Sequence, residues 1–96
     1  MFDGKQVEDF WQKQSVDDFE TARSLFALKR YTHALFFCHL SVEKFLKALV
    51  VRKTNANAPY DHNLQRLAQD AGLQITDHAR ESLAEINTFN IKGRYD

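Results

Sequence analysis

The stretch YTHALFFCHLSVEKFLKALVVRK, Tyr31–Lys53, decides how this chain is read. It holds neither glycine nor proline, and at ~1.5 Å per residue it makes a helix about 34 Å long. On a wheel of ~100° per residue, Ala34, Leu35, Cys38, Val42, Phe45, Leu46 and Leu49 fill one broad arc, widened by Phe37, Ser41 and Ala48. That arc predicts the core face of a central helix. The opposite side carries His39, Glu43, Lys44 and Lys47, yet Phe36, Leu40, Val50 and Val51 are interleaved among them. A solvated face has no need of those apolar residues. The spacing therefore predicts a second covering surface there, with Phe36, Leu40, Val50 and Val51 as the interface.

Upstream, helical periodicity runs from near Val7 to about Leu28. Phe10, Trp11, Ala22, Leu25 and Leu28 share a face, with Phe19 and Phe26 on its flank. Ser15, with Asp18 three residues on, leaves a restart between Gln14 and Val16 open as an alternative. Asp18 projects at ~80° from Phe10, inside the apolar arc. A buried carboxylate left alone is costly, so Asp18 is expected to find a partner. The short link at Lys29 and Arg30 makes the first two helices an antiparallel hairpin.

Downstream, TNANAPYD, Thr54–Asp61, is a loop with clear turn chemistry. Asp61 is expected to cap a third helix that turns Leu64, Leu67, Ala68 and Ala71 inward, and Gly72 followed by Leu73 predicts a Schellman stop. Thr76 or Asp77 caps a last helix with Ala79, Leu83, Ile86 and Phe89 on its inner face. Residues 1–6 read as a weakly structured start and 90–96 as an irregular tail. The whole of 1–96 reads as one domain, an all-α, antiparallel, up-and-down four-helix bundle.

Composition narrows the function. Thirteen basic residues balance thirteen acidic ones, so the overall field of a nucleic-acid binder is missing and only local patches remain. The single cysteine, Cys38, excludes an internal disulfide, fits a reducing cytosol and reads as a small buried hydrophobe. No segment reaches the ~18 apolar residues of a membrane span, and residues 1–10 lack the pattern of a secretory signal, so a cytoplasmic location is expected. There is no glycine-rich phosphate loop, no Cys-x-x-Cys and no His-Glu-x-x-His, and no two of the four histidines stand at i,i+4. No metal, cofactor or catalytic residue is expected.

The charged residues leave three readings open. Glu43 and Lys47, at i,i+4 in the better orientation, make a surface ion pair worth ~0.2–0.5 kcal/mol. Alternatively, Lys44 and Lys47 join Lys92 and Arg94 in an anion site for nucleotide or RNA, with Tyr95 stacking on a base. In the third, one of these lysines neutralises Asp18 and fixes the hairpin's register. His62 reads as structural rather than catalytic, and His39 as a solvated or interface residue.

Three segments in this order, DDFETARSLFALKRYTHALFFCHLSVEKFLKALVV, PYDHNLQRLA and LAEINTFNIKGRYD, resemble the HEPN domain of the kind encoded beside small nucleotidyltransferases. The family's recurring Asp on the first helix corresponds to Asp18, and its Glu-Lys-x-x-Lys-Ala pattern to Glu43, Lys44, Lys47 and Ala48. Its His-x-Leu corresponds to His62 and Leu64, and its Arg-Tyr to Arg94 and Tyr95. The resemblance implies an antiparallel bundle that forms a homodimer and works with a nucleotidyltransferase, as a toxin–antitoxin or nucleotide-binding pair. Many relatives are metal-independent ribonucleases with an Arg-x(4–6)-His motif. No arginine here precedes a histidine at that spacing, so the resemblance points to a non-catalytic module, the alternative being a ribonuclease toxin with a divergent site. Relatives usually continue past the Arg-Tyr into a further helix, whereas this sequence stops at Asp96. A groove left open by that missing helix is expected to favour self-association.

Overall fold

Asp3 starts the first helix. Its side chain accepts a hydrogen bond from the backbone N–H of Gln6 at 3.1 Å, satisfying one of the donors that a helix start leaves unpaired. In the computed structural model, which describes the backbone of residues 1–95 and the side chains of residues 1–89, α1 therefore spans Gly4–Ala27. Both the weakly structured start over 1–6 and the restart at Ser15 are corrected: the helix is continuous.

The α1 stop has Schellman geometry without a glycine. Arg30 N–H donates to the Leu25 carbonyl at 2.9 Å and Lys29 N–H to that of Phe26 at 3.0 Å, with Lys29 in the left-handed region at φ 62°. The chain turns straight into α2, Tyr31–Thr54, antiparallel to α1. After a loop, Asn63 caps α3, Leu64–Asp70, by accepting from Arg66 N–H at 3.1 Å. Asp61, the expected cap, instead accepts from Asn63 N–H at 2.9 Å and pairs with Arg66 at 3.1 Å. Gly72, at φ 74°, closes α3 through Leu73 N–H to the Ala68 carbonyl at 3.1 Å. Thr76 Oγ1 accepts from Ala79 N–H at 3.0 Å and opens α4, Asp77–Tyr95. The irregular tail over 90–96 is thus corrected up to Tyr95: the lone Gly93 weakens a helix by about 1 kcal/mol without ending it.

The four helices form an all-α bundle organised on α2, which touches each of the others. Among the described residues α1 contacts α2 alone. The hydrophobic core joins Leu46 and Val50 of α2 to Leu64, Leu67, Ala68 and Ala71, with Leu83 and Ile86 of α4 packed against it. Val50 and Val51 are buried within the chain, which corrects their expected role in an interface: Val50 packs into the core with Leu64 and Leu67. Phe36 and Leu40 are half-buried.

The wheel's inner and outer faces are partly exchanged. His39, Glu43 and Lys47 are buried, while Phe45 is 50% exposed and Leu35 is exposed beside the half-buried Cys38. On α1 the buried positions are Glu8, Ser15, Asp18 and Ala22, and Phe10, Phe19, Phe26 and Leu28 lie outward. No described helix is long and apolar enough to cross a membrane.

Candidate functional site

Glu8, Trp11, Ser15, Asp18 and Ala22 recur at intervals of three and four residues, the spacing of one helix stripe. That stripe faces α2, so its polar members must be satisfied by α2. Glu8 accepts from Arg52 Nε at 2.8 Å and lies 2.6 Å from Nη2. The Ser15 hydroxyl donates to the Ser41 carbonyl at 2.8 Å, and the Ser41 hydroxyl returns a bond to the Ser15 carbonyl at 2.8 Å. Two serines exchanging such bonds hold the helix backbones close together. Asp18 lies 2.7 Å from Lys44 Nζ, a contact held by charge rather than by a well-aligned hydrogen bond, and Lys44 also donates to Gln14 Oε1 at 3.2 Å.

Next to Lys44 on α2, Glu43 anchors a second group. Its carboxylate takes Lys47 Nζ at 3.1 Å and His62 Nδ1 at 3.0 and 3.1 Å. His39 Nδ1 lies 3.7 Å away, and His39 Nε2 meets the His62 carbonyl at 3.3 Å. A carbonyl only accepts, so Nε2 carries the proton there. Lys47 also sits 5.2 Å from the centroid of the Trp11 ring, a cation–π arrangement. The Glu43 and Lys47 side chains are only 5% and 7% exposed, whereas His62 is 36% exposed. The loop residue His62 is thus stitched to α2 from outside, over a desolvated ion pair.

These contacts decide among the three readings of the lysines. Lys44 is the partner of Asp18. The Glu43–Lys47 pair is buried, not a surface pair, because Trp11, His39 and His62 close over it. Lys44 and Lys47 are both turned inward onto carboxylates, which corrects their placement in an open anion site. The side chains of Lys92, Arg94 and Tyr95 lie outside the described residues. His39 is enclosed rather than solvated.

Sequence reasoning missed Glu8, Ser15, Ser41 and Arg52 as parts of this network. The three-and-four spacing through Asp18 and Ala22 was the available signal. Away from it, burial pushes the Cys38 thiol above its usual value. No three His, Cys, Asp or Glu residues among those described come together as a metal-ligand set.

No curated protein and no solved structure gave a match to the chain. The family model of the HEPN domain matches residues 8–96, a span that takes in the Asp18–Lys44 pair, the Glu43 cluster and the four helices apart from the first turn of α1. The chain belongs to the HEPN domain family.

Proposed function

We propose that this chain is a non-catalytic HEPN module that acts as a homodimer with a nucleotidyltransferase partner in the cytosol, as a toxin–antitoxin or nucleotide-binding pair. The observation that carries the non-catalytic part is the fate of the family's polar pattern. Asp18, Glu43, Lys44, Lys47 and His62 all spend their charge or hydrogen bonds on one another, so the pattern serves the architecture. Nucleotide or RNA contact then falls to residues outside this network, with Lys92, Arg94 and Tyr95 as the candidates. Co-expression with a nucleotidyltransferase tests the partnership: the two should co-purify in a fixed ratio, and independent elution would contradict the reading.

One observation favours a second reading, a divergent metal-independent ribonuclease. His62 is held by a buried carboxylate at 3.0 Å with its ring 36% exposed, and a histidine oriented in this way is suited to general acid–base work. Incubation with RNA in the presence of a chelator separates the two readings. Cleavage by the parent that disappears in His62→Ala supports the ribonuclease, and intact RNA supports the module.

A further inference from the structure

We propose that the hollow between α3 and the start of α4 binds a small carboxylic acid with a short apolar body. The inference is independent of the homodimer and of the nucleotidyltransferase partnership.

The Gln65 amide holds a spare donor. Leu64 N–H, one of the groups that a helix start leaves unpaired, donates to Asn87 Oδ1 at 3.0 Å. An N–H can meet only the oxygen of that amide, so Asn87 turns its Nδ2 to Gln65 Oε1, at 3.1 Å. These two bonds clip α4 to the start of α3. They also fix the Gln65 amide: its oxygen is spent on Asn87, and the hydrogens on Nε2 are left over.

Gln65 lines a cavity of about 370 Å³ together with Gln69, Gly72, Leu73, Ile75 and Arg80, at the lower end of the ~300–1,000 Å³ of small-molecule sites. The charge around it has one sign. Arg80 brings a guanidinium from α4, and no carboxylate is among the lining residues. Lys53 of α2 rests against Gly72: its Cε and Nζ lie 3.2 and 3.6 Å from where a Cβ would stand on that glycine. Asp70, Asp77 and Glu81 are close by in sequence, yet neither Arg80 nor Lys53 makes an ion pair with a described residue. Two cations left unpaired beside one hollow favour an anion there.

The kind of anion follows from the walls. Gln65 Nε2 and Arg80 only donate, which suits a group that only accepts, and a guanidinium fork matches the two oxygens of a carboxylate. Free phosphate has the oxygens but nothing to offer Leu73, which is 41% exposed, or the half-buried Ile75. A carboxylate on a short chain meets both needs, with its oxygens on Arg80 and Gln65 and its carbons on Leu73 and Ile75.

Butyrate is the probe, titrated into the full chain at constant ionic strength and followed through backbone amide chemical shifts. Saturating shifts should gather at Gly72, Ile75 and Arg80. Arg80→Gln should weaken binding roughly tenfold or more, and Gln65→Met about fivefold, with circular dichroism unchanged in both. n-Butylamine, of the same length and opposite charge, should not bind, and phosphate should bind more weakly than butyrate. No saturable shift at tens of millimolar butyrate overturns the proposal, as does binding that both variants retain or that n-butylamine reproduces. Phosphate binding as tightly as butyrate overturns the assignment to a carboxylic acid.

Discussion

Lys44 Nζ stands 2.7 Å from Asp18 Oδ2, and this contact ties α2 to α1 in one register. Asp18 is buried, and the Lys44 side chain is 20% exposed. Sliding α2 along α1 by one turn, ~5.4 Å, would strand the carboxylate without a cation. A buried ion pair adds little net stability compared with a well-packed apolar pair, but breaking it from one side is expensive. The pair therefore acts mainly by penalising wrong alignments of a hairpin whose α1 stripe carries few large apolar groups to fix its own position.

Removing Glu43 should be the most damaging single change in its cluster. Glu43→Ala leaves the Lys47 ammonium buried without its carboxylate, an expected loss of about 3–5 kcal/mol. His62→Ala removes a partly exposed ring and should cost only about 1 kcal/mol. Urea unfolding at neutral pH measures both. The reverse order would mean that the loop, not the ion pair, holds this end of the bundle.

Lys29 occupies the left-handed region at φ 62°, where a Cβ costs roughly 1–2 kcal/mol. Lys29→Gly should stabilise the protein by about 1 kcal/mol and raise Tm by roughly 4–8 °C. Lys29→Ala keeps the Cβ and should give no such gain.

Asp61 gives the chain an acid-sensitive element. Burial pushes its carboxyl up, but the Asn63 N–H and the Arg66 guanidinium outweigh burial and hold it below the usual value. A carboxyl lowered on folding contributes stability above its unfolded pKa, and that contribution is lost as pH falls through the folded value. The stability gap between the parent and Asp61→Asn should be constant above about pH 5 and shrink below about pH 4. Urea midpoints that stay parallel to acid pH would contradict the assignment.

Much of the fold was legible because it rests on patterns with one physical solution. Leu64, Leu67, Ala68 and Ala71 are buried as their spacing requires, and Gly72 ends α3 as a left-handed residue should. Asp18 was legible as a group in need of a partner, though several lysines lay within reach in sequence. The buried face of α2 was not legible. Its apolar residues go nearly all the way round, so a wheel has no clear minimum, and polar groups paired across an interface are buried against their ranking. Glu43 and Lys47 went inside as a pair while Phe45 stayed outside. At the start of α3, Asp61 and Asn63 are both good caps two residues apart, and the chain uses Asn63 for the helix and Asp61 for the turn before it.

The central claim, that the family's charged pattern holds the hairpin together, is tested most directly by a double-mutant cycle across Asp18 and Lys44. Urea unfolding at neutral pH should show Asp18→Leu and Lys44→Met each stabilising nothing, with Lys44→Met alone costing about 2–3 kcal/mol because it strands Asp18. The double variant should recover more than about 1 kcal/mol of the summed losses. Single variants within about 0.5 kcal/mol of the parent, adding without coupling, would contradict the account.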